Sequence, residues 1–186
     1  MLEVRELGLD GVLELRPKAF ADARGFFSET YNSRRMAEAG IALTFVQDNH
    51  SLSREAGVLR GLHYQVPPHA QAKLVRVVRG RIFDVAVDIR RGSPTFAQWV
   101  GLEVSAERWN QILVPAGFAH GFLTLEPDTE VIYKVSDFYA PQHDRAIRFD
   151  DPAIGIDWPV DPARIRLSDK DAAAPSLADA ELFGYE

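Results

Sequence analysis

The sequence predicts an all-β sandwich or jelly roll with a few short helices. Between Lys73 and Tyr139, short apolar runs follow one another with Gly or Pro at their borders, and some of them alternate with period two. Alternation of this kind is typical of strands that bury one face. Only one segment in the first two-thirds of the chain has a convincing helical pattern. Many short strands with one or two helices favour a sandwich or jelly roll.

The N-terminal part predicts a strand, a turn, a second strand and a helix, which span Val12–Phe20, Asp22–Gly25, Phe26–Tyr31 and Ser33–Ala39. The turn is predicted from its Asp-x-Arg-Gly sequence. Asn32 and Ser33 can cap the helix, since their side chains accept hydrogen bonds from free backbone N–H groups. Gly40 can end it because glycine readily adopts the left-handed conformation.

A row of polar side chains, Gln47, Asp48, Asn49 and His50, lies within the segment Thr44–Ser53. Each of these side chains can donate or accept hydrogen bonds. Such a density indicates a binding site, and it is equally typical of a polar turn. Both interpretations are open from the residues alone.

The central part of the chain predicts six further strands, Lys73–Arg79, Arg81–Ile89, Phe96–Val104, Gln111–Val114, Phe118–Leu125 and Glu130–Tyr139. Apolar residues at every second position from Phe83 to Ile89 predict a hairpin around Gly80 with one buried face. Beyond Pro141 the pattern weakens. The tail, residues 167–183, predicts one or two helical turns that cover the barrel.

Length and composition limit the class of protein. The chain has 186 residues, 46% of them hydrophobic, which predicts a single domain over residues 1–186. A formal net charge of −6 argues against nucleic acid as a partner, because nucleic-acid binders usually carry a basic face. The chain has no cysteine, so a metal would need His and carboxylate ligands.

A cytoplasmic location without membrane contact is predicted from two observations. The first residues, MLEVREL, carry charges and contain no apolar run of signal-peptide length. No later segment approaches the roughly 20 apolar residues that span a bilayer.

Four side chains are candidates for chemistry in one cavity: His63, Lys73, His120 and Tyr133. Strand periodicity places Lys73 on the same face as two valines, where an unpaired ammonium is costly, and lysine is seldom fully buried. His120 and Tyr133 also lie on apolar strand faces. A lone histidine on such a face is more often structural. The presence of all four side chains together favours an active site.

Arg60 raises a geometric problem, because in a regular strand it would face away from His63. For both side chains to line one pocket the backbone must bulge, and Gly61 is the natural place. The alternative is that Arg60 is a solvated surface residue.

Two segments resemble the motifs of the cupin fold. PAGFAHGF, residues 115–122, resembles the second cupin motif, and GLHYQ, residues 61–65, lies where the first would be. The metal-binding form of the first motif has a second histidine where this chain has Gln65. A metal-dependent cupin oxygenase or isomerase is therefore disfavoured.

A longer set of segments closely resembles the dTDP-4-dehydrorhamnose 3,5-epimerase family. In chain order these are DARGFFSETYN, FVQDNHS, VLRGLHYQ, KLVRVVRGRIFDVAVDIR, SPTFAQWVG, PAGFAHGF, YK and LSDKDAAAP. The resemblance implies a cupin-type jelly-roll homodimer that needs no metal or other cofactor. It also implies inversion of C3 and C5 in dTDP-4-keto-6-deoxyglucose. An epimerase that inverts one carbon and a catalytically silent sugar-nucleotide-binding cupin are the alternatives.

The resemblance also implies roles for individual residues. His63 is the base, Tyr133 the acid, and Lys73 the cation that stabilises the enolate. Asp171 orients His63, with Asp169 as the competing candidate. The implied substrate-binding residues are Arg24, Glu29, Gln47, Asp48, Asn49, Arg60, His120, Tyr139, Asp144 and Lys170. From the residues alone, surface charge is the favoured interpretation for Arg24, Asp144 and Lys170, and a core aromatic is the favoured interpretation for Tyr139.

Overall fold

Two large antiparallel sheets and two small two-stranded sheets form the protein, for which a computed structural model describes residues 2–185. In chain order the strands are β1 (Glu3–Glu6), β2 (Leu13–Arg16), β3 (Ala19–Asp22), β4 (Gly25–Ser28), β5 (Gln47–Ser53), β6 (Leu59–Gln65), β7 (Lys73–Arg79), β8 (Arg81–Asp88), β9 (Arg90–Arg91), β10 (Trp99–Ser105), β11 (Gln111–Val114), β12 (Phe118–Thr124), β13 (Thr129–Val135), β14 (Asp144–Ala146) and β15 (Phe183–Gly184). The helices are α1 (Ser33–Glu38), α2 (Asp169–Ala172) and a 3₁₀ turn, Pro162–Arg164.

The larger sheet has the strand order β1-β2-β11-β7-β13-β5, and the second has the order β10-β8-β12-β6-β14. A core of buried aliphatic and aromatic side chains from both sheets, among them Val75, Ile112, Ile82 and Phe118, lies between them. This arrangement confirms the predicted all-β sandwich with few helices.

The C-terminal part of the chain covers the outer face of the second sheet. Val85 and Val87 of β8 have no exposed surface and pack in one cluster with Ile154, Leu177 and Phe183. The other face of β8 is also buried, with Asp84 at 0% exposure. The prediction of a hairpin with one buried face was therefore wrong for β8, because distant residues supply the second cover.

Helix α1 lies within one residue of its predicted bounds. Asn32 caps it by accepting hydrogen bonds from the backbone N–H groups of Arg34 and Arg35. Gly40 follows with φ +82°, as its predicted role requires. Met36 is the buried residue of this helix, and it packs on the outer face of the larger sheet beside Leu74.

Several predicted strands have different bounds in the structure. Val12–Phe20 is two strands, β2 and β3, separated at Pro17, which has no N–H to donate. Glu130–Tyr139 ends as a strand at Val135, so Tyr139 lies in a loop. The strands β1, β9, β14 and β15 were not predicted, because each has four residues or fewer. The strand β5 was not predicted either, since its polar residues were interpreted as a binding site or a polar turn.

The strand β6 carries the predicted irregularity. His63 pairs with His120 of β12, whereas Arg60 pairs with Phe122, so two residues of β6 oppose one residue of β12. Gly61 has φ +145°, and a Cβ there would lie 2.5 Å from the Cα of Gly121. The bulge turns Arg60 and His63 toward the same cavity.

Among residues 2–185, no helix is long and apolar enough to cross a membrane. The cytoplasmic location and the single domain over residues 1–186 stay predictions.

Candidate active site

A cavity of about 450 Å³ opens between the two sheets. The second sheet contributes Arg60, His63 and His120 to its lining, and the larger sheet contributes Lys73 and Tyr133. A smaller cavity of about 170 Å³ adjoins it, since His63, Lys73 and Tyr133 line both. The four side chains that the sequence placed together therefore share one cavity.

His63 is held by a carboxylate from the tail. Its Nε2 lies 2.5 Å from Oδ1 of Asp171, whose side chain is 5% exposed. Burial raises the pKa of Asp171, but hydrogen bonds and charge from His63, Ser168 and Lys170 outweigh burial and hold this pKa below its usual value. Asp169, the competing candidate, is exposed. The structure thus assigns the contact with His63 to Asp171.

Lys73 connects the two sheets at the edge of the cavity. Its Nζ donates a hydrogen bond to the main-chain oxygen of His63 at 3.2 Å. Burial lowers the pKa of Lys73 to about 8, although the carboxylates of Asp144 and Asp84 act in the opposite direction. The ammonium is therefore still charged at pH 7 in a poorly solvated site, where its interaction with a developing negative charge is strong.

Tyr133 faces the cavity from the sheet opposite to His63. It pairs with Val75 of β7 and Asn49 of β5, so its side chain projects inward with theirs. Burial raises the pKa of the Tyr133 phenol, and Arg60 only partly offsets this. The phenol is therefore protonated near neutral pH and available as an acid.

His120 has a buried partner that the sequence reasoning missed. Its Nε2 lies 2.9 Å from both carboxylate oxygens of Asp84, which is fully buried. Burial lowers the pKa of His120, and Asp84 only partly counteracts this effect. The available signal was an acidic residue inside the apolar run Arg81–Ile89, because a buried carboxylate needs a partner.

The smaller cavity gathers most of the remaining predicted binding residues: Gln47, Asn49, Tyr139, Asp144 and Lys170. Lys170 Nζ donates to Oδ2 of Asp144 at 2.5 Å, and the Tyr139 hydroxyl donates to the same oxygen at 3.3 Å. The hydrogen bond to Asp144 raises the pKa of Lys170, so its ammonium is charged throughout the neutral range. Tyr139 is 56% exposed, which leaves its ring accessible to a planar group.

Three predicted binding residues lie outside both cavities. Arg24 is at the tip of the β3–β4 hairpin, with a side chain that is 90% exposed and paired with Asp22. Glu29 pairs with Arg35. Asp48 faces the outside of the larger sheet, where Lys134 donates to it at 2.8 Å. Alternation along β5 separates Asp48 from Gln47 and Asn49, so the row of polar residues divides between two faces.

Within residues 2–185, no cluster of three or more His, Asp or Glu side chains is placed to hold a metal ion. Gln65, which stands where the metal-binding cupin motif has histidine, is 3% exposed, and its amide bonds main-chain groups.

Inverting a carbon requires one group to remove a proton and another to return a proton from the opposite face. The fold and the placement of His63 and Tyr133 on facing sheets define this class of protein, a cupin-type epimerase. The family model for dTDP-4-dehydrorhamnose 3,5-epimerase matches residues 6–179. The chain belongs to this family, as its sequence motifs indicated.

Relatives and solved structures agree with that assignment. The dTDP-4-dehydrorhamnose 3,5-epimerase of Pseudomonas aeruginosa is 52% identical over 183 residues, which cover 98% of this chain and 99% of the relative. The dTDP-6-deoxy-D-glucose-3,5-epimerase of Legionella pneumophila, solved in complex with dTDP-4-keto-L-rhamnose, is 45% identical, with a TM-score of 0.95 over 100% of both chains.

A 3′-monoepimerase has the same fold. The enzyme of Streptomyces bikiniensis, solved in complex with dTDP-quinovose, is 38% identical with a TM-score of 0.85, covering 92% of this chain and 86% of the other.

Proposed function

We propose that this chain converts dTDP-4-keto-6-deoxyglucose to dTDP-4-keto-L-rhamnose by inverting C5 and C3. The observation that carries the proposal is the placement of His63 and Tyr133 on opposite sides of one cavity, with Lys73 between the sheets. The ketone at C4 makes the protons on both neighbouring carbons acidic, so one set of groups serves both.

The first step is removal of a proton by His63. The imidazole takes the hydrogen from the carbon next to C4, and the electron pair of that C–H bond moves to the ketone oxygen to form an enolate. Asp171 accepts a hydrogen bond from the far ring nitrogen, which orients the ring and stabilises the imidazolium. The ammonium of Lys73 stabilises the enolate oxygen, a contribution that is typically about 10²–10³ in rate.

The second step returns a proton from the other face. The Tyr133 phenol donates its proton to the carbon while the enolate collapses to the ketone. Since burial raises the pKa of this phenol, the tyrosinate left behind readily takes a proton back. The side chain of His63 is 31% exposed, so its abstracted proton can exchange with water before the next turnover.

The adjoining cavity is proposed to hold the nucleotide. Tyr139 offers an accessible ring to the base, and Lys170, which lines both cavities, offers positive charge to the diphosphate. In the larger cavity, Nδ1 of His120 can accept a hydrogen bond from a sugar hydroxyl, because Nε2 donates to Asp84.

We also propose that the chain works as a homodimer. The β3–β4 hairpin exposes Phe20, Phe26 and Phe27 at 54%, 62% and 71%, an apolar surface of the kind that a second copy covers. Arg24 lies at the tip of this hairpin and reaches neither cavity of its own chain. A role for Arg24 in substrate binding therefore requires it to enter the cavity of the partner.

The reaction is tested by supplying dTDP-4-keto-6-deoxyglucose in deuterated water and following C3 and C5 by NMR. We expect exchange at both carbons and formation of the L-rhamno product. If neither carbon exchanges, the proposal is wrong. Exchange at C3 alone would instead assign a monoepimerase.

Two variants separate the roles of the base and the acid. His63→Ala should abolish exchange at both carbons. Tyr133→Phe should still exchange while inversion fails, because removal of the proton does not require the acid. Equal loss of exchange in both variants would contradict the assigned roles.

The dimer is tested by light scattering at micromolar concentration. The unchanged protein should have twice the mass of one chain, and the double variant Phe26→Asp/Phe27→Asp should have the mass of one. If the unchanged protein has the mass of one chain, the proposed dimer is wrong.

A further inference from the structure

The main chain of the loop that carries Tyr139 is held by the side chains of three glutamines. Gln71 Nε2 donates to the Asp137 oxygen at 2.7 Å, and Gln65 Nε2 donates to the Phe138 oxygen at 3.2 Å. Gln47 Oε1 accepts from the Tyr139 N–H at 3.0 Å, and Gln65 Oε1 accepts from the Ala140 N–H at 2.8 Å. Four consecutive residues, 137–140, are thus fixed by side-chain amides, a set we term the glutamine clamp.

The clamp ties the loop to both sheets. Gln47 begins β5, and Gln71 lies two residues before β7; these two strands belong to the larger sheet. Gln65 ends β6 in the second sheet. Gln65 is 3% exposed, and its Nε2 also donates to the His69 oxygen at 2.7 Å. An amide suits this position because it can donate and accept at the same time, which a hydrophobic residue of equal size cannot do.

Outside the clamp, the segment is held through two of its side chains, since Asp137 Oδ2 lies 3.0 Å from His69 Nδ1 and the Tyr139 hydroxyl donates to Asp144 at 3.3 Å. It follows the end of β13 at Val135, and its side chains Phe138 and Tyr139 are 63% and 56% exposed. The backbone position of Tyr139 is therefore determined by the clamp more than by packing of its ring.

We propose that Gln65 and Gln71 are positioning residues that hold Tyr139 in place and so set the affinity for the nucleotide. The proposal rests on the proposed function, in which Tyr139 stacks on the base. A ring held before binding loses less conformational entropy when the base arrives, so part of the affinity comes from the clamp. Stacking on an aromatic side chain tolerates different bases, but it requires the ring to present its face.

Gln71→Ala is the main test, because Gln71 is only partly buried and its loss leaves Gln65 in place. The probe is dTDP, with binding measured by calorimetry. We expect Kd for dTDP to rise about tenfold, which corresponds to about 1.4 kcal/mol. KM for the nucleotide sugar should rise by a similar factor, with kcat changed less than about twofold. Gln65→Met should show the same direction with a larger effect.

A double-mutant cycle with Tyr139→Ala separates positioning from general loss of structure. If the clamp acts through Tyr139, Gln71→Ala adds little to the loss already caused by Tyr139→Ala. Full additivity of the two losses, or an unchanged Kd in Gln71→Ala, would overturn the proposal. Gln142→Ala is the matched control, an exposed glutamine of the same loop whose side chain is not part of the clamp, and it should bind dTDP as the unchanged protein does.

The two proposals fail in different ways. If the unchanged protein does not bind dTDP, the proposed function is wrong and this inference falls with it. If it binds dTDP and Gln71→Ala binds equally well, only the positioning role is wrong.

Discussion

Oδ1 of Asp171 lies 2.5 Å from Nε2 of His63, although 108 residues separate them in the chain. Asp171 is part of the one-turn helix α2, in which Ser168 caps the start by accepting from the Asp171 N–H. The carboxylate is buried while the imidazole is 31% exposed. The tail therefore completes a pair in which one member is fixed and the other can reach substrate.

Asp171→Asn should retain the shape of this pair and remove its charge. We expect kcat to fall by about 10²–10⁴, the range typical of a group that takes part in acid–base catalysis. Asp169→Asn, two residues away on the same helix and exposed, is the matched control and should retain full activity. Equal losses in the two variants, measured with the same substrate assay, would argue against the assigned partner.

Lys73 should produce an alkaline limb in the pH profile. Because burial lowers the pKa of Lys73 to about 8, its ammonium loses its charge above that pH, and kcat/KM should fall there. Lys73→Arg keeps a charge above pH 12, so its profile should lose this limb even if the rate is lower. A limb near pH 8 that persists in Lys73→Arg would assign the titration to another group.

The same lysine should affect stability with a defined sign. The pKa of Lys73 is lower in the folded state than in the unfolded chain, so the unfolded state binds more protons between pH 8 and about 10.5, and stability rises over that range. Lys73→Met should be more stable than the unchanged protein below pH 8. Urea unfolding at pH 7 and pH 10 should show this advantage shrinking, and an advantage independent of pH would contradict it.

Gly61→Ala should damage both the fold and the site. Its φ of +145° is strained for alanine, and the new Cβ would meet the Cα of Gly121 at 2.5 Å. Strain of this kind costs about 1–3 kcal/mol, and the collision adds to it. Gly40→Ala is the control, since Gly40 has φ +82° but nothing within 4 Å of its Cβ position. It should lose about 1–2 kcal/mol in urea unfolding and keep its activity.

Asp84→Leu should be strongly destabilising because it leaves the buried His120 without its acceptor. Removing one member of a buried pair costs about 3–5 kcal/mol. Adding His120→Leu should recover much of this loss, since no buried polar group then lacks a partner. Thermal unfolding of the single and double variants measures the recovery, and strictly additive losses would contradict the coupling.

Much of the fold could be predicted from local pattern. Helix α1 could be located from Asn32 and Gly40, and β11 from its apolar run before Pro115, because these signals lie within or next to each element. The bulge at Gly61 was also predictable, since only a change of register places Arg60 and His63 on one face. The strands β9 and β14, of two and three residues, show no period and were missed.

The site was less predictable where it depends on which face of a strand is buried. Gln47, Asp48 and Asn49 look equivalent in sequence, yet alternation sends Asp48 to the outside, where it pairs with Lys134. Asp84 was missed because the alternation of Phe83, Val85, Val87 and Ile89 indicated that its own face of β8 was the unburied one, whereas that face lies between the two sheets and the C-terminal residues cover the other face.

The sequence by itself determined the kinds of group available and their spacing, namely a histidine and a lysine on consecutive strands of the chain, a tyrosine on a third, and a glycine between Arg60 and His63. Only the tertiary structure decided that Asp171 and not Asp169 contacts His63, and that His63 and Tyr133 face each other from opposite sheets. The physical reason is that a period of two determines which residues share a face, whereas packing between distant segments determines what that face meets.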